Sequence, residues 1–256
     1  MAFARLRFMV FVLIVLGLPA ALMSTADTEL VELGKLVMIL SPAVAGLALS
    51  SHRWNRAPGP NWRWVLYAGA VTLAVAAGSL VVALAVGAVN FRLQDVSPAA
   101  LLGPIGGSVL TSVLEELGWA GGGLTLAIAA LGGGWGVLVL GLVWAAWHLI
   151  PVMFRVGLFP YLEAAPPLMF VAFVVACVVY RELLTQLRDR AGSWLGAAAG
   201  HAAPNILLAG LLAAGVELYP GPADWLYFPA PGGLVFPTLV LVALLMLRRG
   251  AREGLR

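Results

Sequence analysis

The 256-residue chain is 62% hydrophobic and only 11% charged, whereas a soluble domain has about 45–50% apolar and about 25% charged residues. These proportions exclude an ordinary soluble domain, and a net charge of +3 is too small to indicate binding to nucleic acid. The one cysteine, Cys177, excludes an intramolecular disulfide and a thiolate metal cluster. The composition is that of an integral membrane protein.

Long apolar blocks predict membrane-spanning helices, each of which needs about 20 mainly apolar residues. Glycine- and proline-containing breaks separate eight such blocks. They cover residues 8–23, 30–50, 64–88, 105–130, 136–154, 166–184, 194–216 and 233–248. We therefore predict an all-α fold, a single polytopic transmembrane helix bundle of about eight spans over residues 1–256, because other spanning structures leave backbone polar groups unsatisfied in lipid.

The placement of arginine predicts how the bundle is oriented. Most arginines, Arg181 among them, fall at one set of block ends, while Arg92 and Arg155 fall at the opposite set. The positive-inside rule then predicts a multi-pass protein of the plasma membrane with both termini in the cytoplasm. A second interpretation of the N-terminus stays open, because two early arginines followed by an apolar run are also typical of a cleaved signal peptide ending near Ala26.

Five polar side chains lie inside apolar blocks, where a charged group is costly and usually functional. They are Glu115, Glu116, His148, His201 and Asn205. At about 1.5 Å per residue, the two glutamates lie roughly 20 Å below the cytoplasmic surface and His148 roughly 18 Å, while His201 and Asn205 lie at roughly 10 and 16 Å. These depths overlap, so we expect the helices within residues 105–216, the predicted catalytic core, to bring the five groups into one cavity.

Such a cavity suits peptide hydrolysis, which needs an activated water and a stabiliser for the tetrahedral oxyanion. A glutamate serves as general base, a histidine shares the water or protonates the leaving amine, and an asparagine amide donates to the oxyanion. Pro204 has no backbone N–H, so the carbonyl of Gly200 should lose its helical partner and become free for a substrate strand. A second chemistry stays open, since His148, His201 and Glu115 are also a zinc-hydrolase ligand set with one open position.

Three short motifs lie on separate blocks, in the order Glu115-Glu116-Leu117-Gly118-Trp119-Ala120, then Trp144-Ala145-Ala146-Trp147-His148, then His201-Ala202-Ala203-Pro204-Asn205. They resemble the Glu-Glu-x-x-x-Arg, Phe-x-x-x-His and His-x-x-x-Asn motifs of the CAAX protease and bacteriocin-processing family of intramembrane peptidases. Trp144 replaces the phenylalanine of the second motif. The eight-helix layout is similar as well.

The resemblance implies a role for each polar residue. Glu115 would be the general base on water, with His148 assisting and Glu116 supporting. His201 and Asn205 would hold the oxyanion. In the alternative, a Zn²⁺ ion would be bound by His148, His201 and Glu115. The implied partners are a peptide or protein substrate, including a membrane-tethered one, and membrane lipid, while the oligomeric state stays unknown.

One position departs from the family pattern, because Ala120 stands where the first motif has arginine. An arginine there would neutralise Glu116. Because this chain has alanine at that position, Glu116 is either protonated or paired with an arginine from elsewhere. Arg155 and Arg92 are candidates, although their predicted depth argues against both. The departure leaves a non-catalytic immunity or scaffold member of the family as one alternative to an active peptidase. A second alternative, independent of Ala120, is a proton-coupled transporter that uses the same buried acids and histidines.

Overall fold

The computed structural model describes residues 2–50, 59–89, 97–163, 165–214, 224–228 and 231–253. These ranges contain helices and no β-strand, which confirms the predicted all-α bundle. The α-helices are α1 Ala2–Val12, α2 Leu18–Met23, α3 Thr28–Leu49, α4 Trp62–Ala85, α5 Pro98–Glu116, α6 Leu124–Leu131, α7 Gly133–Met153, α8 Pro160–Glu163, α9 Pro167–Ala191, α10 Trp194–Ala213 and α11 Val235–Glu253. Two π-helical segments, Leu13–Gly17 and Leu117–Gly123, join α1 to α2 and α5 to α6.

Seven helical segments of the described ranges are long and apolar enough to cross a membrane. They are Ala2–Met23, Thr28–Leu49, Trp62–Ala85, Pro98–Leu131, Gly133–Met153, Pro167–Ala191 and Trp194–Ala213. The predicted count was about eight. The last predicted block became α11, whose final turns carry Arg248 and Arg249, so its apolar part is shorter than a full span. The chain is a multi-pass membrane protein.

The turn between α9 and α10 sets two of the site helices side by side. Gly192 ends α9 in the left-handed region at φ 63°, a conformation that glycine adopts without steric cost. Ser193 then begins α10, and its hydroxyl oxygen accepts a hydrogen bond from the backbone N–H of Leu195 at 3.3 Å, as a helix N-cap does. The tight turn makes α9 and α10 antiparallel neighbours.

A contact between α9 and α10 corrects the prediction made from Pro204. The Tyr180 hydroxyl of α9 donates to the carbonyl oxygen of Gly200 at 2.6 Å. The proline therefore leaves this carbonyl without a helical donor, as predicted. The expectation that the carbonyl is free for a substrate strand is wrong, because Tyr180 occupies it.

Helix α3 crosses the π-helical segment Leu117–Gly123 at glycine contacts. A methyl group on Gly118 would overlap the backbone of Pro42, and one on Gly122 would overlap the backbone of Gly46. Only a residue without Cβ lets two helix backbones approach this closely. The crossing holds in place the segment that directly follows the paired glutamates.

The N-terminal helix packs on the same π-helical segment. Phe11 is fully buried, and its ring meets that of Trp119 edge-on with 5.6 Å between centroids. The ring also lies against the Cα position of Gly123. Cleavage near Ala26, the signal-peptide alternative, would uncover Trp119.

Candidate active site

Two antiparallel helices, α5 and α10, face each other across two side-chain hydrogen bonds. Glu116 Oε1 lies 2.9 Å from His201 Nδ1, and Asn205 Nδ2 donates to Ser112 Oγ at 3.1 Å. Ser112 and Glu116 are four residues apart, as are His201 and Asn205, so each pair lies on one face of its helix. The two hydrogen bonds fix the register of α5 against α10.

Glu116 makes a second, charged contact with Arg181 of α9. Arg181 Nη1 donates to Oε2 at 2.6 Å, and Nη2 donates to Oε1 at 3.0 Å. The Arg181 side chain is 1% exposed and that of Glu116 is 0% exposed. Both carboxylate oxygens are therefore occupied, and Oε1 is shared between Arg181 and His201. A buried ion pair of this kind makes each partner depend on the other, because removing one leaves an uncompensated charge.

The prediction that places Arg181 at a cytoplasmic block end is wrong. Helix α9 continues past Arg181 to Ala191, and the Arg181 side chain points into the bundle. Arg155 is not the partner of Glu116, since Arg181 takes both oxygens, and Arg92 lies outside the described residues. One signal in the sequence could have found the pair: Arg181 lies inside the predicted block 166–184, and an intramembrane arginine calls for a named partner.

Trp144 of α7 connects the remaining groups. The guanidinium carbon of Arg181 lies 4.1 Å from the ring centroid of Trp144, and tryptophan is the strongest aromatic partner for a cation. The same ring meets His201 and His148 edge-on, with centroid distances of 5.3 and 5.0 Å. The ring thus contacts two of the predicted site residues and the arginine that pairs with a third.

The half-buried His148 has one defined tautomer when neutral. Its Nδ1 lies 2.9 Å from the backbone oxygen of Trp144, and a carbonyl oxygen only accepts hydrogen bonds. Nδ1 therefore carries the hydrogen, and Nε2 carries the lone pair.

Glu115 differs from its neighbour Glu116 in having a free oxygen. It is 7% exposed and lies where α5 changes into the π-helical segment. Within the described residues, its buried Oε2 atom has no protein hydrogen-bond partner. A buried polar oxygen is costly unless a water or a ligand satisfies it. Glu115 Oε2 therefore lacks a charged partner of the kind that holds Glu116.

The geometry agrees with a comparison to known protein families. Residues 96–207 match the family described as type II CAAX prenyl endopeptidase Rce1-like. Over this region, the chain is similar to the Rce1-like family. The match confirms the resemblance that the three motifs indicated, and it covers all five predicted site residues. A comparison with curated proteins found no match.

The Rce1-like region contains two further residues that sequence reasoning missed, Arg181 and Ser112. Both are buried and both bind a predicted site residue. Ser112 had a weak signal, since it precedes Glu116 by four residues and so shares its helix face. A serine in an apolar helix is common, however, and its hydroxyl usually bonds to the preceding turn, so spacing alone did not single it out.

The zinc alternative depends on three ligands meeting at one point. In the part of the chain that the structure describes, no three histidine, cysteine, aspartate or glutamate side chains are arranged to hold a metal ion. One ring nitrogen of His148 faces Trp144 and one of His201 faces Glu116. Such contacts leave Nε2 of each ring, the nitrogen with which a histidine held in this way would bind a metal, and Zn²⁺ stays a prediction from the sequence.

Proposed function

We propose that the protein is an intramembrane endopeptidase in which Glu115 activates a water molecule for attack on a peptide carbonyl. The observation that carries the proposal is the contrast between two adjacent acids. Glu116 has both oxygens occupied by Arg181 and His201, whereas the buried Oε2 of Glu115 has no partner among the described residues. Paired acids in different environments take different roles. Similarity of residues 96–207 to the Rce1-like endopeptidase family supports a peptide bond as the target.

In the proposed reaction, the water oxygen attacks the carbonyl carbon while Glu115 accepts a proton from the water. His148 assists through Nε2, the ring nitrogen left free when Nδ1 donates to Trp144. The negative charge moves to the former carbonyl oxygen. When the C–N bond breaks, the proton passes to the leaving amine, and the general base is restored.

Asn205 and His201 stabilise the oxyanion in this proposal. Asn205 has two amide hydrogens, of which one is donated to Ser112, so the other is available. The neutral ring of His201, with Nδ1–H on the Glu116 carboxylate, has only a lone pair at Nε2. His201 therefore donates to the oxyanion as an imidazolium ion, and the carboxylate of Glu116 stabilises that cation.

The proposed substrate is a peptide or a membrane-tethered protein. The five site residues lie on helices that are long and apolar enough to span a membrane, so the scissile bond must enter the bundle from the lipid or from the cytoplasmic side. The matched family is described as a type II CAAX prenyl endopeptidase. Prenylated CAAX proteins are therefore the substrate class to test first. We place the protein in the plasma membrane with its termini in the cytoplasm, following the arginine bias.

The test compares wild type with Glu115→Gln, each reconstituted in lipid nanodiscs. Two internally quenched CAAX peptides, one prenylated and one not, serve as probes, and terminal labelling of a membrane-protein fraction reports any other cleavage. We expect Glu115→Gln to lower the rate by about 100-fold or more, the range of general-base catalysis. The control is Glu182→Gln, a glutamate of α9 that pairs with Arg248 outside the site. Identical new termini from wild type and Glu115→Gln would overturn the proposal in favour of a non-catalytic member.

A further inference from the structure

Arg181 brings four helices together at the site. Its own helix is α9, its guanidinium binds Glu116 of α5, and one face of that guanidinium lies on Trp144 of α7. Through Glu116 it reaches His201 of α10. The side chain is 1% exposed, so these contacts are made in a site that water does not screen.

The shared oxygen makes Arg181 act on His201. Glu116 Oε1 accepts from Arg181 Nη2 and lies 2.9 Å from His201 Nδ1. Because arginine remains protonated in proteins, the carboxylate beside it is held as an acceptor. An acceptor at this point keeps the histidine hydrogen on Nδ1 and leaves Nε2 for the substrate side. Without the guanidinium, Glu116 Oε1 would lose one of its two partners, and the carboxyl group would no longer be held against Nδ1.

Through its contact with Trp144, Arg181 also affects the position of His148. The Trp144 ring contacts the guanidinium and both histidine rings. The backbone oxygen of the same residue fixes His148 Nδ1. Loss of the guanidinium would therefore remove a support from the residue that orients His148.

We propose that Arg181 is a positioning residue of this site and supplies, from a different helix, the positive charge that is missing at Ala120. Ala120 is 2% exposed in the π-helical segment and offers no charge to Glu116. The guanidinium reaches that carboxylate from α9, 65 residues further along the chain. The catalytic consequence depends on the proposed peptidase function, whereas the control of His201 depends only on the contacts described.

The first experiment measures catalysis in three variants with the peptide probes. Arg181→Met removes the charge and keeps a long side chain, and Arg181→Lys keeps the charge but cannot make the bidentate contact. We expect Arg181→Met to lower kcat by about 10–100-fold, as loss of an orienting partner does, with KM changed by less than about twofold because the residue does not touch substrate. Arg181→Lys should fall between Arg181→Met and wild type.

The matched control is Arg190→Met. Arg190 lies on the same helix, 5.3 Å above the Trp64 ring, and donates to the backbone oxygen of Leu247 at 2.8 Å. It shares with Arg181 the contact with a tryptophan ring but lies outside the site, so we expect kcat to stay within about twofold of wild type. An equal loss of kcat in Arg181→Met and Arg190→Met would overturn the positioning role.

The second experiment reads the histidine directly and does not need a substrate. The chain has three histidines, so ¹⁵N-histidine labelling gives few ring signals, and His201→Gln identifies those of His201. In wild type we expect a protonated Nδ1 at His201 that is hydrogen-bonded to Glu116, and in Arg181→Met a changed chemical shift of that nitrogen because its hydrogen bond is altered. Arg190→Met should leave it unchanged. If Arg181→Met does not fold, Arg181→Lys is compared in the same way.

The two experiments fail in different ways. A wild-type protein without peptidase activity would refute the proposed function. A shifted His201 signal in the Arg181 variant would still support the inference that Arg181 positions His201. Unchanged His201 signals in a folded Arg181 variant would overturn the inference even if the peptidase is active.

Discussion

The buried pair of Glu116 and Arg181 should show a large coupling free energy in a double-mutant cycle. Glu116→Gln leaves an arginine that is 1% exposed without its counter-charge, and breaking a buried pair in this way costs about 3–5 kcal/mol of unfolding free energy. Arg181→Met leaves a fully buried carboxylate with His201 as its partner, at a cost of the same order. The double variant removes both charges, so its cost should fall below the sum by about 2–3 kcal/mol.

The measurement is equilibrium unfolding in mixed micelles, followed by the fluorescence of the nine tryptophans. A matched cycle on Arg248 and Glu182 serves as control, since these side chains are 54% and 31% exposed at a similar distance of 2.8 Å. An exposed pair should couple by only about 0.2–1 kcal/mol. Additive costs at Glu116 and Arg181, within about 0.5 kcal/mol, would refute the argument that each charge depends on the other.

Three further predictions follow from the packing and the chemistry. Gly122→Ala should lower the unfolding free energy by about 1–3 kcal/mol, because the added methyl group overlaps the Gly46 backbone. The control Gly107→Ala should not lower it, because a methyl group there has no neighbour within 4 Å. Equal unfolding midpoints for the two variants would contradict this prediction. Tyr180→Phe should cost about 1–3 kcal/mol by the same titration, because the Gly200 carbonyl loses its donor; a neutral result would mean that another donor replaces it. A chelator should leave peptide hydrolysis unchanged, and activity that is lost and then restored by zinc would establish the metal alternative instead.

Helix boundaries show where sequence reasoning reached its limit. Apolar runs predicted the helices well, but the block 166–184 ended near Arg181 although α9 runs to Ala191. Hydropathy measures the preference of each residue for lipid and not for a protein interior. The last turns of α9 are buried against other helices through Leu183, Leu184 and Leu187, so their arginines and acids do not end the helix.

The candidate polar residues could be selected from the sequence, but their pairings could not. The cost of placing Glu115, Glu116 and His148 in an apolar block marks them as candidate functional residues without any knowledge of the fold. Which of the two neighbouring glutamates has protein partners at both carboxylate oxygens depends on the side chains that face each of them. That contrast came only from the contacts of Glu116 with Arg181 and His201.

The sequence by itself determined the all-α membrane bundle, the candidate polar residues and the resemblance to a peptidase family, because hydropathy and short motifs are properties of neighbours along the chain. Tertiary structure decided that Arg181 supplies the charge missing at Ala120 and that Tyr180 satisfies Gly200. Glu116 meets its two partners across 65 and 85 residues of sequence. The physical reason is that an ion pair forms between helix faces that packing brings together, and this packing depends on glycine crossings and turns elsewhere in the chain as well as on the paired residues.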